Sequence, residues 1–301
     1  NNFGYSLTAS QRDVLDAILG DLCAPYRSSR LLQGDVGSGK TIVTLIAAFC
    51  VARAGHQVAL MVPTEVLAYQ HQKTIERLSE GTGIKSALLT SSTKAAERRK
   101  IIAGLESGDT GIVVGTHALL NEQVSFKSLR FVIIDEQHRF GVYQRAVLGH
   151  KGDKPDILVM SATPIPRTLA LTAFGDLDVS RITEYPAGRQ LPQSRIVTES
   201  QREQVYRFID QRLDEGRQVY FVYALVEDSE DEESDLRSAT DMFDKLQERF
   251  GTRRLGLLHG RLKSQEKTEV LEKFRRAELD ILVSTLVVEV GVDFPMPRPW
   301  W

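Results

Sequence analysis

Short, nearly continuous apolar runs alternate along this chain with longer stretches whose apolar residues recur at helical spacing, and that alternation restricts the fold more than any other feature. The runs are "QVALMV" (57–62), "KSALLT" (85–90), "GIVVGT" (111–116), "RFVIID" (130–135) and "DILVMSAT" (156–163). Between them, "TIVTLIAAFCVARA" (41–54), "EVLAYQHQKTIERL" (65–78) and "TKAAERRKIIAGLES" (93–107) place apolar side chains three and four apart, each ending near a glycine. Strands that are apolar on both faces need cover on both faces, so this pattern predicts an α/β domain with a mostly parallel sheet. "RITEYPAGRQLPQ" (181–193), with two prolines and a glycine, reads as a linker. The alternation then resumes with "QVYFVYAL" (218–225), a helix near 239–250, "RLGLLHG" (254–260), a helix near 264–276 and "DILVST" (280–285). The expected organisation is two α/β domains in tandem, 1–183 and 194–301, joined by 184–193, which suits 301 residues.

Composition excludes several classes. Cys23 and Cys50 stand apart from each other and from any histidine cluster, so neither a disulfide framework nor a zinc site is indicated, and a reducing cytoplasm fits best. No run of about 18 apolar residues is present and "NNFGYSLTAS" lacks the basic and apolar regions of a secretion signal, so a soluble chain with no membrane association is expected. A net charge of −2 is not the footprint of a protein that holds nucleic acid by bulk electrostatics alone. The acidic run "EDSEDEESD" (227–235) reads as a solvated loop.

"LLQGDVGSGKT" (31–41) carries the first chemistry. Gly34, Asp35, Val36, Gly37, Ser38, Gly39, Lys40 and Thr41 have the P-loop spacing: glycines let backbone N–H groups approach phosphates, lysine reaches the β and γ phosphates, and the threonine hydroxyl ligates Mg2+. The segment follows an apolar run and opens a long helix, whose N-terminus favours anions. "FVIIDEQH" (131–138) ends an apolar strand in two carboxylates at the edge where open α/β sheets bind ligands. Asp135 would hold Mg2+, directly or through water, and Glu136 would orient and deprotonate the attacking water. Lys40, Asp135 and Glu136 are the candidate catalytic set, with ATP and Mg2+ as cofactors.

"DEQH" followed by "RFGVYQR" (139–145) joins "VPTEVLAYQH" (62–71), "GTHAL" (115–119), "MSATPIPRTLA" (160–170), "LLHGRLK" (257–263) and "STLVVEVGVDFP" (284–295) in one order. This set resembles the motor of superfamily 2 DNA translocases and, within them, the RecG family of branch-migration helicases, from about Phe3 to Pro295. The related transcription-repair coupling translocases share much of it, usually with DEEH. The resemblance implies two RecA-like P-loop NTPase domains with ATP held between them, and a monomer that hydrolyses ATP to move on branched DNA, at replication forks and Holliday junctions, in recombination and repair.

It also implies roles. Phe3 and Gln11 would recognise adenine, although Gln11 also reads as a polar helix-start residue after the cap Thr8. Pro63, Thr64, Glu65, Gly115, Thr116 and His117 would touch the DNA backbone, or act as ordinary helix caps. Gln137, His138, Ser161, Ala162 and Thr163 would couple the ATP site to domain movement, with turn chemistry as the alternative for the latter three. In the second domain His259, Gly260, Arg261, Ser284 and Thr285 would contact DNA and Gly291 and Asp293 the nucleotide, while His259 reads equally as a packed strand-end residue.

Three departures accompany the match. The family's Q-x-x-G-R-x-G-R segment, whose arginines reach the γ-phosphate, is missing, and such a loss costs about three orders of magnitude in turnover. "DFPMPRPWW" (293–301) does not resemble a continuing strand, and the wedge and C-terminal coupling elements have no counterpart. The expectation is a motor fragment with a truncated second domain and slow turnover. A transcription-coupled repair translocase and a catalytically silent, nucleotide-gated DNA-binding module are the alternatives.

Overall fold

The structure, a computed structural model, describes residues 6–135, 151–152, 155–162, 177–184, 193–223, 232–259, 262 and 264–285. The chain divides into two compact units, Asn1–Arg189 and Gln190–Trp301.

The first unit is built on β1 (Ser29–Gly34), β2 (Gln57–Met61), β3 (Ser86–Leu89), β4 (Ile112–Gly115), β5 (Leu129–Ile134), β6 (Asp156–Ser161) and β7 (Asp178–Ile182). They form one sheet in the order β3-β4-β2-β5-β6-β1-β7, and every neighbouring pair is parallel. Its helices are α1 (Ala9–Cys23), α2 (Lys40–Arg53), α3 (Glu65–Ser79) and α4 (Ala95–Ser107). Because side chains alternate across a strand, Val58, Leu60, Phe131 and Ile133 pack on one face with Ile18 of α1, Val43 of α2 and Ile75 of α3. Ala59, Met61, Val132 and Ile134 pack on the other with Ile101 and Leu105 of α4. Each valine, leucine, isoleucine, methionine or phenylalanine among them contributes about 1.5–3 kcal/mol when fully buried.

The second unit has a parallel sheet of β8 (Val219–Tyr223), β9 (Leu255–Leu258) and β10 (Ile281–Thr285) in the order β8-β10-β9, with α5 (Arg202–Asp214), α6 (Glu232–Arg249) and α7 (Ser264–Arg275). Its core gathers Ile209, Leu213, Leu246, Phe250, Ile281 and Val283. The order repeats β2-β4-β3 of the first unit, and one polar device marks the repeat. Gln57 opens β2 and its Nε2 donates to the carbonyls of Leu105 and Thr110, both at 2.9 Å. Gln218 precedes β8 and donates to those of Phe274 at 2.5 Å and Leu279 at 2.8 Å. Each amide ties the end of one helix to the start of the adjacent strand, so β8, β9 and β10 are the counterparts of β2, β3 and β4.

Three sequence expectations are corrected. Arg181 and Ile182 belong to β7, which pairs with β1, and are not linker; of the expected linker, residues 185–192 lie outside the described residues. Glu232–Asp235, the end of the acidic run, forms the first turn of α6, so that part of the run is not a loop. The helix α5 has no counterpart in the expected pattern. Among the described residues no helix is long and apolar enough to cross a membrane, and Cys23 and Cys50 are exposed and unbridged.

Candidate functional site

All strands of the first sheet point the same way, so the C-terminal ends of β1, β5 and β6 lie at one edge, the edge where open α/β sheets bind ligands. β1 carries Leu31 and Leu32, both wholly buried, and releases the chain at Gly34. A Cβ on Gly34 would lie 2.5 Å from Ser38 Oγ and 3.4 Å from Ile182, so a larger residue here would have to displace the Ser38 hydroxyl. Gly37 (φ 74°) and Gly39 (φ 91°) take the left-handed backbone that glycine adopts without strain. Ser38 N–H donates to the Asp35 carbonyl at 3.1 Å and Val36 N–H to Asp35 Oδ1 at 2.7 Å, which rounds the loop.

Lys40 is buried, and its ammonium donates to the carbonyls of Gly34 at 2.6 Å and Asp35 at 3.0 Å, placing a cation inside the ring of backbone. Gly39 begins α2 with no side-chain cap, and the Ser38 hydroxyl is buried with no hydrogen-bond partner among the described residues. A left-handed glycine loop, an enclosed ammonium, an uncapped helix start and an orphaned hydroxyl are the donor set that a polyphosphate satisfies, so these residues fit the phosphates of a nucleotide. Thr41 is exposed in the first turn of α2.

Asp135 follows β5, and its N–H extends the ladder to the Met61 carbonyl at 2.9 Å. Its side chain is largely buried and meets His71 Nε2 of α3 at 3.2 Å. Ser161 ends β6, the strand between β5 and β1, and is fully buried; Ala162 follows it half-buried. Gln11, 3% exposed, takes part in a capping box with Thr8 and donates through Nε2 to the Ser38 carbonyl at 2.8 Å, so the first turn of α1 is joined to the P-loop.

The loops after β2, β4 and β3 form a second group at the same edge. Thr64 caps α3 through Leu67 N–H at 3.3 Å, next to Pro63, and Glu65 Oε1 accepts from Ser92 N–H at 3.0 Å. Gly115 and Thr116 are buried; a Cβ on Gly115 would lie 2.3 Å from the Leu89 carbonyl, so that glycine serves strand packing. His117 is the exposed side chain of this motif. Sequence reasoning passed over Thr90, Ser92 and Thr93, whose hydroxyls bond to one another and to the Thr90 N–H. Their signal was positional: "LLTSS" follows β3 as "LLHGR" follows its counterpart β9.

In the second unit His259 follows β9 half-buried, and Thr285 ends β10. Ser284 is fully buried near the end of β10. Burial raises the Tyr220 phenol above its ordinary pKa, with a hydrogen bond to Ser284 opposing that shift. Phe3, Glu136, Gln137, His138, Thr163, Gly260, Arg261, Gly291 and Asp293 lie outside the described residues.

The DEAD/DEAH box helicase family matches residues 8–172. The chain belongs to that family. The helicase conserved C-terminal domain matches residues 200–296. Among relatives of this DEAD/DEAH box chain, the ATP-dependent DNA helicase RecG of Aquifex aeolicus is 47% identical over 293 residues, 97% of this chain and 37% of that protein. That of Bacillus subtilis is 48% identical over 292 residues, 97% of this chain and 42% of its own length. The chain therefore spans about two fifths of these relatives. A structure of RecG bound to a three-way DNA junction superposes with a TM-score of 0.78 at 42% identity, covering 98% of this chain and 38% of that one. The DEAD-box helicase Mss116 bound to single-stranded RNA shares the tandem RecA-like fold, with a TM-score of 0.71 at 18% identity over 96% of this chain and 62% of that one.

Proposed function

We propose that this chain is the ATP-driven motor of a RecG-type DNA helicase acting on branched DNA. The observation that carries the reading is the P-loop described above, with Lys40 enclosed by the Gly34 and Asp35 carbonyls, in a chain whose RecG relatives match along 97% of its length. Lys40 and the N–H groups of residues 37–41 would hold the β and γ phosphates, and the Thr41 hydroxyl and Asp135 carboxylate would hold Mg2+, which supplies charge neutralisation of the transferred phosphoryl group. Gln11 would position the P-loop from beneath and Glu136 would orient water. The exposed His117 and the hydroxyl loops at Thr64 and Thr90–Thr93 would meet the phosphate backbone of DNA, contacts that position without reading sequence. Forks and Holliday junctions, monomeric action and a cytoplasmic setting are part of this reading; it is supported by the bacterial RecG relatives and by the RecG structure on a three-way junction.

The test is phosphate release from ATP and Mg2+, with and without forked DNA, beside Lys40→Ala and Glu136→Gln. Stimulation by forked DNA that is lost in both variants is expected. Turnover unaffected by Lys40→Ala would refute the reading, and binding of ATP without turnover would leave a nucleotide-gated DNA-binding module in its place.

A further inference from the structure

Along α3, Leu67 and Ile75 are buried in the core, and His71 lies four residues from each on the same face. An apolar residue at position 71 would continue the stripe. A histidine stands there instead, 8% exposed, and its Nε2 lies 3.2 Å from Asp135 Oδ2. An ionised carboxylate can only accept, so with Asp135 in that state Nε2 is the donor of this bond. Burying an imidazole in an aliphatic stripe is costly unless it is bonded, and here the bond is made to the carboxylate that closes β5.

We infer that His71 is a positioning residue for the divalent cation: it holds the Asp135 carboxylate in one orientation before the cation arrives. The inference rests on the nucleotide reading above, in which Asp135 holds Mg2+. A carboxylate at a strand end otherwise rotates about its terminal torsion, and that freedom is lost when it binds a metal or a metal-bound water. A bond formed beforehand removes part of the loss, which is why partners behind metal ligands tune affinity by about 10–100-fold. The Asp135 main chain is held separately by the Met61 carbonyl, so replacing the imidazole leaves the strand end in place. The bond also joins the cation site to α3, the helix that opens at Thr64, so a displacement of α3 acts directly on Asp135.

The experiment titrates Mg2+ into the full chain with a fluorescent ATP analogue, beside a parallel nucleotide titration in EDTA. His71→Leu keeps bulk and removes the donor; His71→Gln keeps a donor at similar reach. His71→Leu is expected to raise the half-saturating Mg2+ concentration about 10–100-fold, leave nucleotide affinity in EDTA unchanged, and be largely reversed by His71→Gln. An unchanged Mg2+ midpoint in His71→Leu, or an equal loss of binding in EDTA, overturns the inference. If His71→Leu does not fold, His71→Asn, whose donor is too short to reach, takes its place. Wild-type binding that ignores Mg2+ overturns the cation reading itself, and the inference with it.

Discussion

Gln11 Nε2 donates to the Ser38 carbonyl across 2.8 Å, while Gln11 Oε1 accepts the Thr8 N–H at 2.9 Å, so one buried amide links the capping turn of α1 to the P-loop. Gln11→Ala deletes both bonds and leaves the Ser38 carbonyl without this partner. A buried polar group deprived of its partner costs about 1–3 kcal/mol. The expected outcome is a lower melting temperature together with a several-fold weaker ATP affinity, because the loop loses the prop beneath it. Calorimetry and a nucleotide titration check this; an unchanged affinity in a destabilised variant would reduce Gln11 to a capping residue.

Gly39 and Gly55 separate conformation from contact. Both have positive φ, 91° and 85°, but a Cβ on Gly39 would lie 2.2 Å from Gln11 Nε2, whereas one on Gly55 meets nothing within 4 Å. Left-handed backbone costs a non-glycine residue about 1–2 kcal/mol at either place. Gly39→Ala must in addition displace Gln11 and distort the loop, and is expected to weaken nucleotide binding at least ~10-fold. Gly55→Ala should lower stability and leave nucleotide affinity alone. Equal nucleotide affinities for the two variants would mean that the Gln11 contact is irrelevant to the loop.

The paired glutamines of the two units give a stability prediction. Gln57, 2% exposed, serves the Leu105 and Thr110 carbonyls and accepts from Ser128 N–H at 2.9 Å; Gln218 serves two carbonyls in a more open position. Replacement of each by leucine should destabilise its own unit, Gln57→Leu by roughly 2–4 kcal/mol and Gln218→Leu by less, since water reaches its surroundings. Hydrogen exchange resolved by segment reads the two effects separately. Loss of protection spread over both units from either single change would show that they do not unfold independently.

The strands other than β1 and β7 were legible because each lies in a nearly continuous apolar run, and the run ends fall within a few residues of the strand ends. β7 was not, because "DVSRI" alternates exposed with buried positions, and only its pairing with β1 makes it a strand. The helix α5 offered a narrow stripe, with Ile209 and Leu213 its buried residues. The P-loop could be read because its function is local. Asp135 could be read as a strand-end carboxylate, but its bond to His71 could not: the two are 64 residues apart, and meet only because β5 pairs with β2, the strand that α3 follows.

Asp280, just before β10, accepts from Arg254 through both carboxylate oxygens, at 2.7 and 3.1 Å, and from the Arg254 backbone N–H at 2.8 Å. The side-chain bond from Arg254 is the main reason its carboxyl stays below the ordinary aspartate range; burial opposes it, and the backbone bond adds to it. A carboxyl whose folded pKa is depressed contributes stability above its unfolded value, about 3.9, and loses it as pH falls through the lower folded value. The pair is partly exposed, so the contribution is the modest one of a screened surface ion pair. Asp280→Asn should therefore lower the melting temperature of the second unit slightly at pH 7. The gap between the variant and wild type should stay constant down to about pH 5 and close below pH 4, where the wild-type carboxyl also becomes neutral. Melting curves across that range at low salt check it; a gap that persists undiminished at pH 2 would assign the effect to packing and not to charge.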